Sequence, residues 1–406
     1  MASVLLNDAV MIDGMGGDPR AGVSLLVENG RISRIGAAGS ITAPPDSREI
    51  DCGGRTLMPG LTDAHVHFGL VDGTANDPPI SHVSYVMKVA ENIRLALDEG
   101  FTTVRDAGGL DPAFAMAVAA GEMPGPRILP AGSFLTITGG HGDHRGRWDD
   151  SEPVSIPGLL ANSEIVDGVD AVRRAARRQI RRGATQVKVM ASGGVMSPSD
   201  PIESLQFTVE EMAAAVHEAR SFGTYVMAHC HTAGATQNAL AAGVRSIEHG
   251  SIIDEATARM MAEKGAFMVP TLVIIEILMR ASGVPEFSRQ KMQSVHGHMR
   301  ESVAMARAAG VTMGSGSDLL GARQRRRGSE IVEKAKEIGA MAAIVSATTT
   351  NAELFNLADR IGTLVEGKDA DLILVDGDPL TDVAILADGR NIPFVMKGGV
   401  ARKDAL

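Results

Sequence analysis

The sequence predicts an α/β fold: a (β/α)8 TIM barrel with a small β-sandwich domain built from both chain termini. Three observations carry that prediction. Apolar β-runs alternate with helical segments through the middle of the chain. Both ends are β-rich and broken by turn residues. Histidines collect where the central strands stop.

The N-terminal part, residues 1–56, reads as short strands. Val4-Leu5-Leu6, Val23-Ser24-Leu25-Leu26-Val27 and Arg31-Ile32-Ser33-Arg34-Ile35 are each bounded by Gly, Asn or Asp. Glu28-Asn29-Gly30 between the second and third is a hairpin signal, because Asn and Gly tolerate the positive φ of a tight turn. The other end, residues 360–406, repeats the pattern with Leu372-Ile373-Leu374-Val375 and Phe394-Val395-Met396 on either side of Asp376-Gly377-Asp378-Pro379. One small domain assembled from both ends is the simplest arrangement.

Residues 57–359 alternate strand and helix. The strands run from Met58 to His67, then Thr102–Asp106, Arg127–Ala131, Gln186–Met190, Tyr225–His229, Arg245–His249, Ala266–Pro270 and Val311–Ser315. Helices are expected over about residues 170–182 and from Thr208, where Glu211 three positions on completes a capping box. Eight βα units over this length fit a barrel. A doubly wound sheet would place a Gly-rich phosphate loop after its first strand, and none is present.

Composition narrows the function. The net charge of −10 argues against wholesale binding to nucleic acid or an anionic membrane, and 3% aromatic residues leave no base-stacking platform. Two cysteines, Cys52 and Cys230, build neither a disulfide framework nor a thiolate cluster. The apolar run from Phe267 to Met279 is broken by Pro270 and Glu276 and is too short to span a bilayer. The N-terminus lacks a basic region and Asp8 interrupts its apolar stretch, so no signal peptide is read and a cytoplasmic location is expected.

In a barrel, chemistry sits at the C-terminal ends of strands. His65 and His67 follow the first strand on one face, since i and i+2 point the same way. Lys188 lies in the fourth strand, His229 ends the fifth, His249 ends the sixth and Asp318 follows the eighth. Imidazole and carboxylate groups converging on one mouth suit a divalent metal, although an isolated His-x-His pair is often structural. Lys188, between Val187 and Val189, is a cation in an apolar strand. Burial lowers a lysine pKa, and a neutral amine can take up CO2 to give a bridging carbamate. The alternative is a lysine that snorkels to the rim or pairs with Asp318.

These residues resemble the amidohydrolase superfamily. The likeness rests on His65-Val66-His67, Lys188 before Ala191-Ser192-Gly193-Gly194, His229-Cys230-His231, Glu248-His249-Gly250 and Ser317-Asp318, and it covers essentially the whole chain. Thr138-Gly139-Gly140-His141-Gly142-Asp143 is similar to the imidazolonepropionase-related branch that contains metal-dependent prolidases and carboxypeptidase-like dipeptidases. The resemblance implies two Zn2+ ions or another divalent metal. His65, His67 and Asp318 would hold one, His229 and His249 the other, with carboxylated Lys188 between them. It also implies attack by a metal-bridging hydroxide, with Asp318 moving the proton to the leaving amine.

The implied reaction is cleavage of the amide before a C-terminal amino acid, in Xaa-Pro dipeptides or N-acyl amino acids. Xaa-Arg or Xaa-Lys dipeptides and aroyl-phenylalanine amides of the ochratoxin type are alternatives, as is a cyclic-amide hydrolase or deaminase of the imidazolonepropionase kind. A homo-oligomer acting on small molecules is expected. His141, in the Gly-rich segment 132–163, and His231 are expected to touch substrate; related dipeptidases tend to carry Tyr at the latter position. Within Arg323-Gln324-Arg325-Arg326-Arg327, Arg325 is a candidate clamp for a substrate carboxylate, set against a plain solvated surface. His144 is expected at the surface, and His82, His217, His296 and His298 on helices.

Overall fold

Hydrogen bonding sorts the strands of the described residues into three sheets. The computed structural model describes residues 3–71 and 80–406. The first sheet contains both ends of the chain. Its strands lie in the order Val400–Asp404, Phe394–Lys397, Leu372–Val375, Thr56–Pro59, Val4–Met11, Arg20–Glu28 and Arg31–Ala37, with Arg48–Asp51 also on Val4–Met11. The hairpin expected at Asn29-Gly30 is present, with φ of 52° and 80° at those two residues.

Arg48–Asp51 pairs with the first half of Val4–Met11 and Thr56–Pro59 with the second, on either side of an irregularity at Asp8. The sheet therefore bends. Leu25 and Val27 from one half and Leu372, Leu374 and Phe394 from the other share one buried apolar cluster. Instead of two separately paired layers, the two chain ends form one continuous eight-stranded sheet folded over its own core.

The other two sheets are parallel and carry the site. One joins Leu61–Val66, Phe101–Asp106 and Arg127–Leu129. The other runs Glu164–Ile165, Leu135–Thr136, Val187–Met190, Val226–Thr232, Ser246–Ile252, Phe267–Val269 and Thr312–Met313. All eight expected central strands are present, but two short ones were not anticipated. Leu135 pairs with Val189 and so occupies part of the edge that Arg127–Leu129 would otherwise meet. Backbone hydrogen bonds still connect the sheets at both edges: Thr185 N donates to Pro130 O at 2.8 Å, and Ala64 N to Ser315 O at 2.8 Å.

Helices cover the outside of these strands. Val169–Arg181 shows how sequence sets the packing: its apolar stripe of Val172, Ala175 and Ala176 is buried, while Arg173 and Arg177 pair with Glu218 on the next helix. That next helix, Val209–Ser221, starts with the expected capping box at Thr208 and Glu211. Along Val187–Met190 the alternation of side chains places Val187 and Val189 in the main core and turns Lys188 to the opposite face. Burying each valine contributes roughly 1.5–3 kcal/mol, enough to hold the strand that presents the lysine. Among the described residues no helix is long and apolar enough to cross a membrane.

Candidate metal centre

Parallel strands and the segments that follow them bring His65, His67, Lys188, His229, His249 and Asp318 to one cavity of about 130 Å3; Lys188, His229 and His249 lie within their strands, the last two not at the ends expected from sequence. His141, His144, His231, Ser251 and Thr271 add to its polar lining. Leu70, Phe134, Met190, Val195, Met196, Ile274, Ile275, Leu278 and Leu320 supply apolar walls.

Three donors converge closely. His65 Nε2 and His67 Nε2 are 3.2 Å apart, and Asp318 Oδ1 lies 3.5 and 3.3 Å from them. Ligand atoms around one tetrahedral zinc sit about 3.3 Å from each other, so these donors fit a shared divalent cation. Their far sides fit it too. His65 Nδ1 is 2.7 Å from Glu248 Oε2 and His67 Nδ1 is 2.7 Å from Gly108 O. Each outer contact takes the ring proton and leaves Nε2 as the ligand lone pair.

The outer contacts are themselves anchored. Glu248 Oε1 accepts from Arg105 Nη2 at 2.9 Å and from Ser246 Oγ at 2.5 Å, while Arg105 Nε donates to Ala64 O at 2.7 Å. Although burial opposes ionisation, Arg105 and His65 hold the Glu248 carboxyl down at about 2. Asp106 accepts from Phe68 N and Gly108 N at 3.0 and 2.9 Å, and so shapes the turn whose carbonyl meets His67. Burial raises the Asp106 pKa to about 6.

The second group comprises His229, His249 and Lys188. The rings of His229 and His249 have centroids 4.6 Å apart. His249 Nδ1 meets Thr271 Oγ1 at 2.7 Å. Both residues are in the left-handed region, His249 at φ 71° and Thr271 at φ 50°, as is Asp318 at 53°. Such conformations cost about 1–3 kcal/mol each and concentrate at functional sites. Lys188 is 1% exposed, and burial lowers its pKa. Among the described residues no hydrogen bond or close ion pair reaches its ammonium, so the pairing with Asp318 considered from sequence does not form.

Burial and neighbouring cations keep the site imidazoles neutral. His65 and His231 are lowered to about 4, and His141, His229 and His249 fall well below the ordinary histidine range. Neutral imidazole is the ligating form. His67 is the exception: burial would lower it too, but its contact with Asp318 outweighs that and raises it.

His141 stacks near His229 with ring centroids 4.4 Å apart, and His231 Nδ1 reaches Ser251 Oγ at 3.0 Å. His144 is exposed at the rim. Arg325, the candidate carboxylate clamp, is exposed, its Nη2 pairs with Glu91 Oε1 at 3.0 Å, and it does not line this cavity. The basic run is not uniformly solvated either. Arg327 is fully buried over the Phe68 ring, 4.0 Å from Asp63, and Gln324 Nε2 donates to His67 O at 2.9 Å. Arg105, Glu248 and Asp106 were missed as supporting residues. Their only signal was charge inside apolar strands, the same signal that singled out Lys188.

Parallel strands that gather histidines and a carboxylate able to hold a metal fit the class of metal-dependent hydrolases. The chain belongs to the amidohydrolase family, whose profile matches residues 56–402. It is 35% identical over 365 residues to ochratoxinase from Aspergillus niger, covering 84% of this chain and 75% of that protein. A prolidase crystallised with N-methylphosphonate-L-proline is 39% identical, with a TM-score of 0.94 over 99% of this chain and 100% of that one. A Xaa-Pro dipeptidase crystallised with methionine in its active site is 31% identical, with a TM-score of 0.89 over the same shares.

Proposed function

We propose a binuclear zinc hydrolase that cleaves the amide bond before a C-terminal amino acid, with Xaa-Pro dipeptides as the first substrate class and N-acyl amino acids next. The convergence of His65, His67 and Asp318, with His229, His249 and Lys188 on the same cavity, carries this reading. The prolidase, dipeptidase and ochratoxinase relatives support the choice of bond. In this reading His65, His67 and Asp318 would hold one ion and His229 and His249 the other, with Lys188 contributing as its carbamate. When bound, the metals supply Lewis acidity and a water acidic enough to ionise near neutral pH. Asp318 accepts the water proton and passes it to the leaving nitrogen. His141 and His231 orient the substrate, and the Ile274, Ile275 and Leu278 wall excludes water.

The reading includes a closed (β/α)8 barrel over residues 57–359 and a sandwich-like domain of residues 1–56 and 360–406. Thr56–Pro59 passes between the two. It includes a cytoplasmic homo-oligomer, for which the sequence and its resemblance are the support. A second reading, a mononuclear cyclic-amide hydrolase or deaminase, is favoured by one observation: only His65, His67 and Asp318 form a tight donor set among the described residues. Metal stoichiometry separates the two.

The test is amino-acid release from Xaa-Pro, Xaa-Arg, Xaa-Phe and N-acyl substrates by zinc-loaded enzyme in bicarbonate, with Asp318→Asn as the blank. Release confined to one C-terminal class assigns the specificity. Silence across the panel from protein carrying two metals rules the peptidase reading out.

A further inference from the structure

Lys291 projects from the helix Glu286–Ala308 onto a single loop. Its Nζ donates to Gly194 O at 3.0 Å, Ser197 O at 2.7 Å and Asp200 O at 2.5 Å. Three carbonyls match the three protons of an ammonium, so the lysine occupies the centre of the loop as a bound cation would. The Asp200 carboxylate is 3.9 Å away, and the Phe287 ring lies 5.9 Å from the same nitrogen.

The other side of this loop faces the active cavity. Val195 and Met196 form part of its wall. Ser197 Oγ is 2.7 Å from His141 Nδ1. Gly194 presses on the same ring so closely that an added Cβ would meet His141 Cε1 at 2.2 Å. Gln206 closes the circuit: its Oε1 accepts from His141 N at 2.8 Å, and its Nε2 donates to Asp200 Oδ2 at 3.3 Å. Asp200 Oδ2 also accepts from Gly194 N at 3.0 Å.

We propose that Lys291 is a positioning residue for substrate recognition, whose ammonium ties down residues 193–201 and, through Ser197, fixes which nitrogen of His141 faces the substrate. With Nδ1 engaged by Ser197, Nε2 is the nitrogen left for the cavity. The inference rests on the amide-hydrolase reading, because His141 acts there as a substrate contact.

Lys291→Met keeps the length of the side chain and removes the cation. Its kcat/KM is expected to fall about 10- to 100-fold with metal content unchanged, the scale of a catalytic contact displaced by a fraction of an ångström to an ångström. Combined with His141→Ala, it should cost no more than His141→Ala alone, since both act through one ring. Lys291→Cys treated with 2-bromoethylamine restores an ammonium at the same reach and should recover activity; both native cysteines are buried. Deuterium exchange needs no substrate, and it should quicken at residues 139–142 and 193–201 in Lys291→Met. Unchanged exchange there, additive losses in the double variant, or failure of the alkylated protein to recover would overturn the proposal. Should the unsubstituted enzyme hydrolyse nothing in the panel, the function reading fails while exchange still decides whether Lys291 holds the loop.

Discussion

His65 Nδ1 lies 2.7 Å from Glu248 Oε2, and that contact decides which nitrogen of His65 faces His67 and Asp318. The carboxylate is itself completely buried and paired with Arg105. One charge therefore serves two purposes: it orients a candidate metal ligand and neutralises a buried guanidinium. Glu248→Gln keeps the shape and removes the charge. Metal affinity is expected to drop about 10- to 100-fold, as for other outer-shell partners of ligating histidines. Leaving Arg105 uncompensated adds a stability loss of about 3–5 kcal/mol. Metal retained after dialysis against a chelator, with thermal unfolding alongside, measures both; full retention would contradict the assignment.

Lys188 is buried with no hydrogen bond or close ion pair among the described residues, burial lowers its pKa, and the proposed binuclear reading assigns its amine a carbamate. Lys188→Arg keeps a permanent cation in place and cannot form a carbamate. Such a variant is expected to lose one metal and its activity. Lys188→Ala should instead recover part of its activity in formate or acetate, which can stand in for the missing anionic bridge. A carbon-13 carbamate signal from labelled bicarbonate in the unsubstituted protein, absent from both variants, is the direct check.

The residues that meet on one cavity were legible as candidates because most of them follow a rule of position. Strand periodicity marks the faces and ends of strands: His65 and His67 stand at the end of Leu61–Val66, whereas Val226–Thr232 and Ser246–Ile252 run three residues past His229 and His249, which the sequence reading placed at their ends. Glu248 broke the rule, since strict alternation places it on the face opposite His249. The left-handed backbone at His249 turns that side chain to the cavity while Glu248 stays inside to meet Arg105. No local pattern encodes such a turn. The two short strands Leu135–Thr136 and Glu164–Ile165 were equally hidden, being defined by tertiary pairing within a segment that reads as loop.

Arg325 and Arg327 show how little a charge run reveals about its members. Arg325 is 63% exposed in its side chain and pairs with a half-exposed Glu91. Arg325→Ala is expected to change stability by no more than about 1 kcal/mol and kcat/KM hardly at all. Arg327→Ala removes the cation facing buried Asp63 and the packing over Phe68, at a cost of about 3–5 kcal/mol. Since Asp63 accepts from the backbone amides of His65 and Ser317, the metal site should loosen with it. Urea unfolding of both variants tests the contrast, and equal losses would refute it.

Acid should unfold the metal-free protein in a defined window. Five imidazoles lining the site, four buried and His141 half-buried, are held neutral, with His65 and His231 lowered to about 4 and His141, His229 and His249 well below the ordinary range. In the unfolded chain each returns to about 6.5, so between about 6.5 and 4 the unfolded state binds more protons than the native one. The native state then loses about 1.4 kcal/mol per pH unit for each such histidine as pH falls through the window. Four buried carboxyls oppose this: Asp106, raised to about 6, Glu330, raised to about 7, and Asp63 and Glu99, also raised by burial, contribute stability that is lost as pH rises from the ordinary carboxylate range through their native values. His67 is raised, and its contribution is lost only as pH rises above its ordinary value, outside this window. Five imidazoles against four carboxyls leave a net loss toward acid. Urea midpoints of chelator-treated protein at about pH 7, 6 and 5 should therefore decline steeply, and zinc should shift the decline to lower pH because it binds only the deprotonated rings. A flat profile from about pH 7 to 5 would mean that these rings are hydrated and already charged in the native state, and the closed, neutral site described above would be wrong.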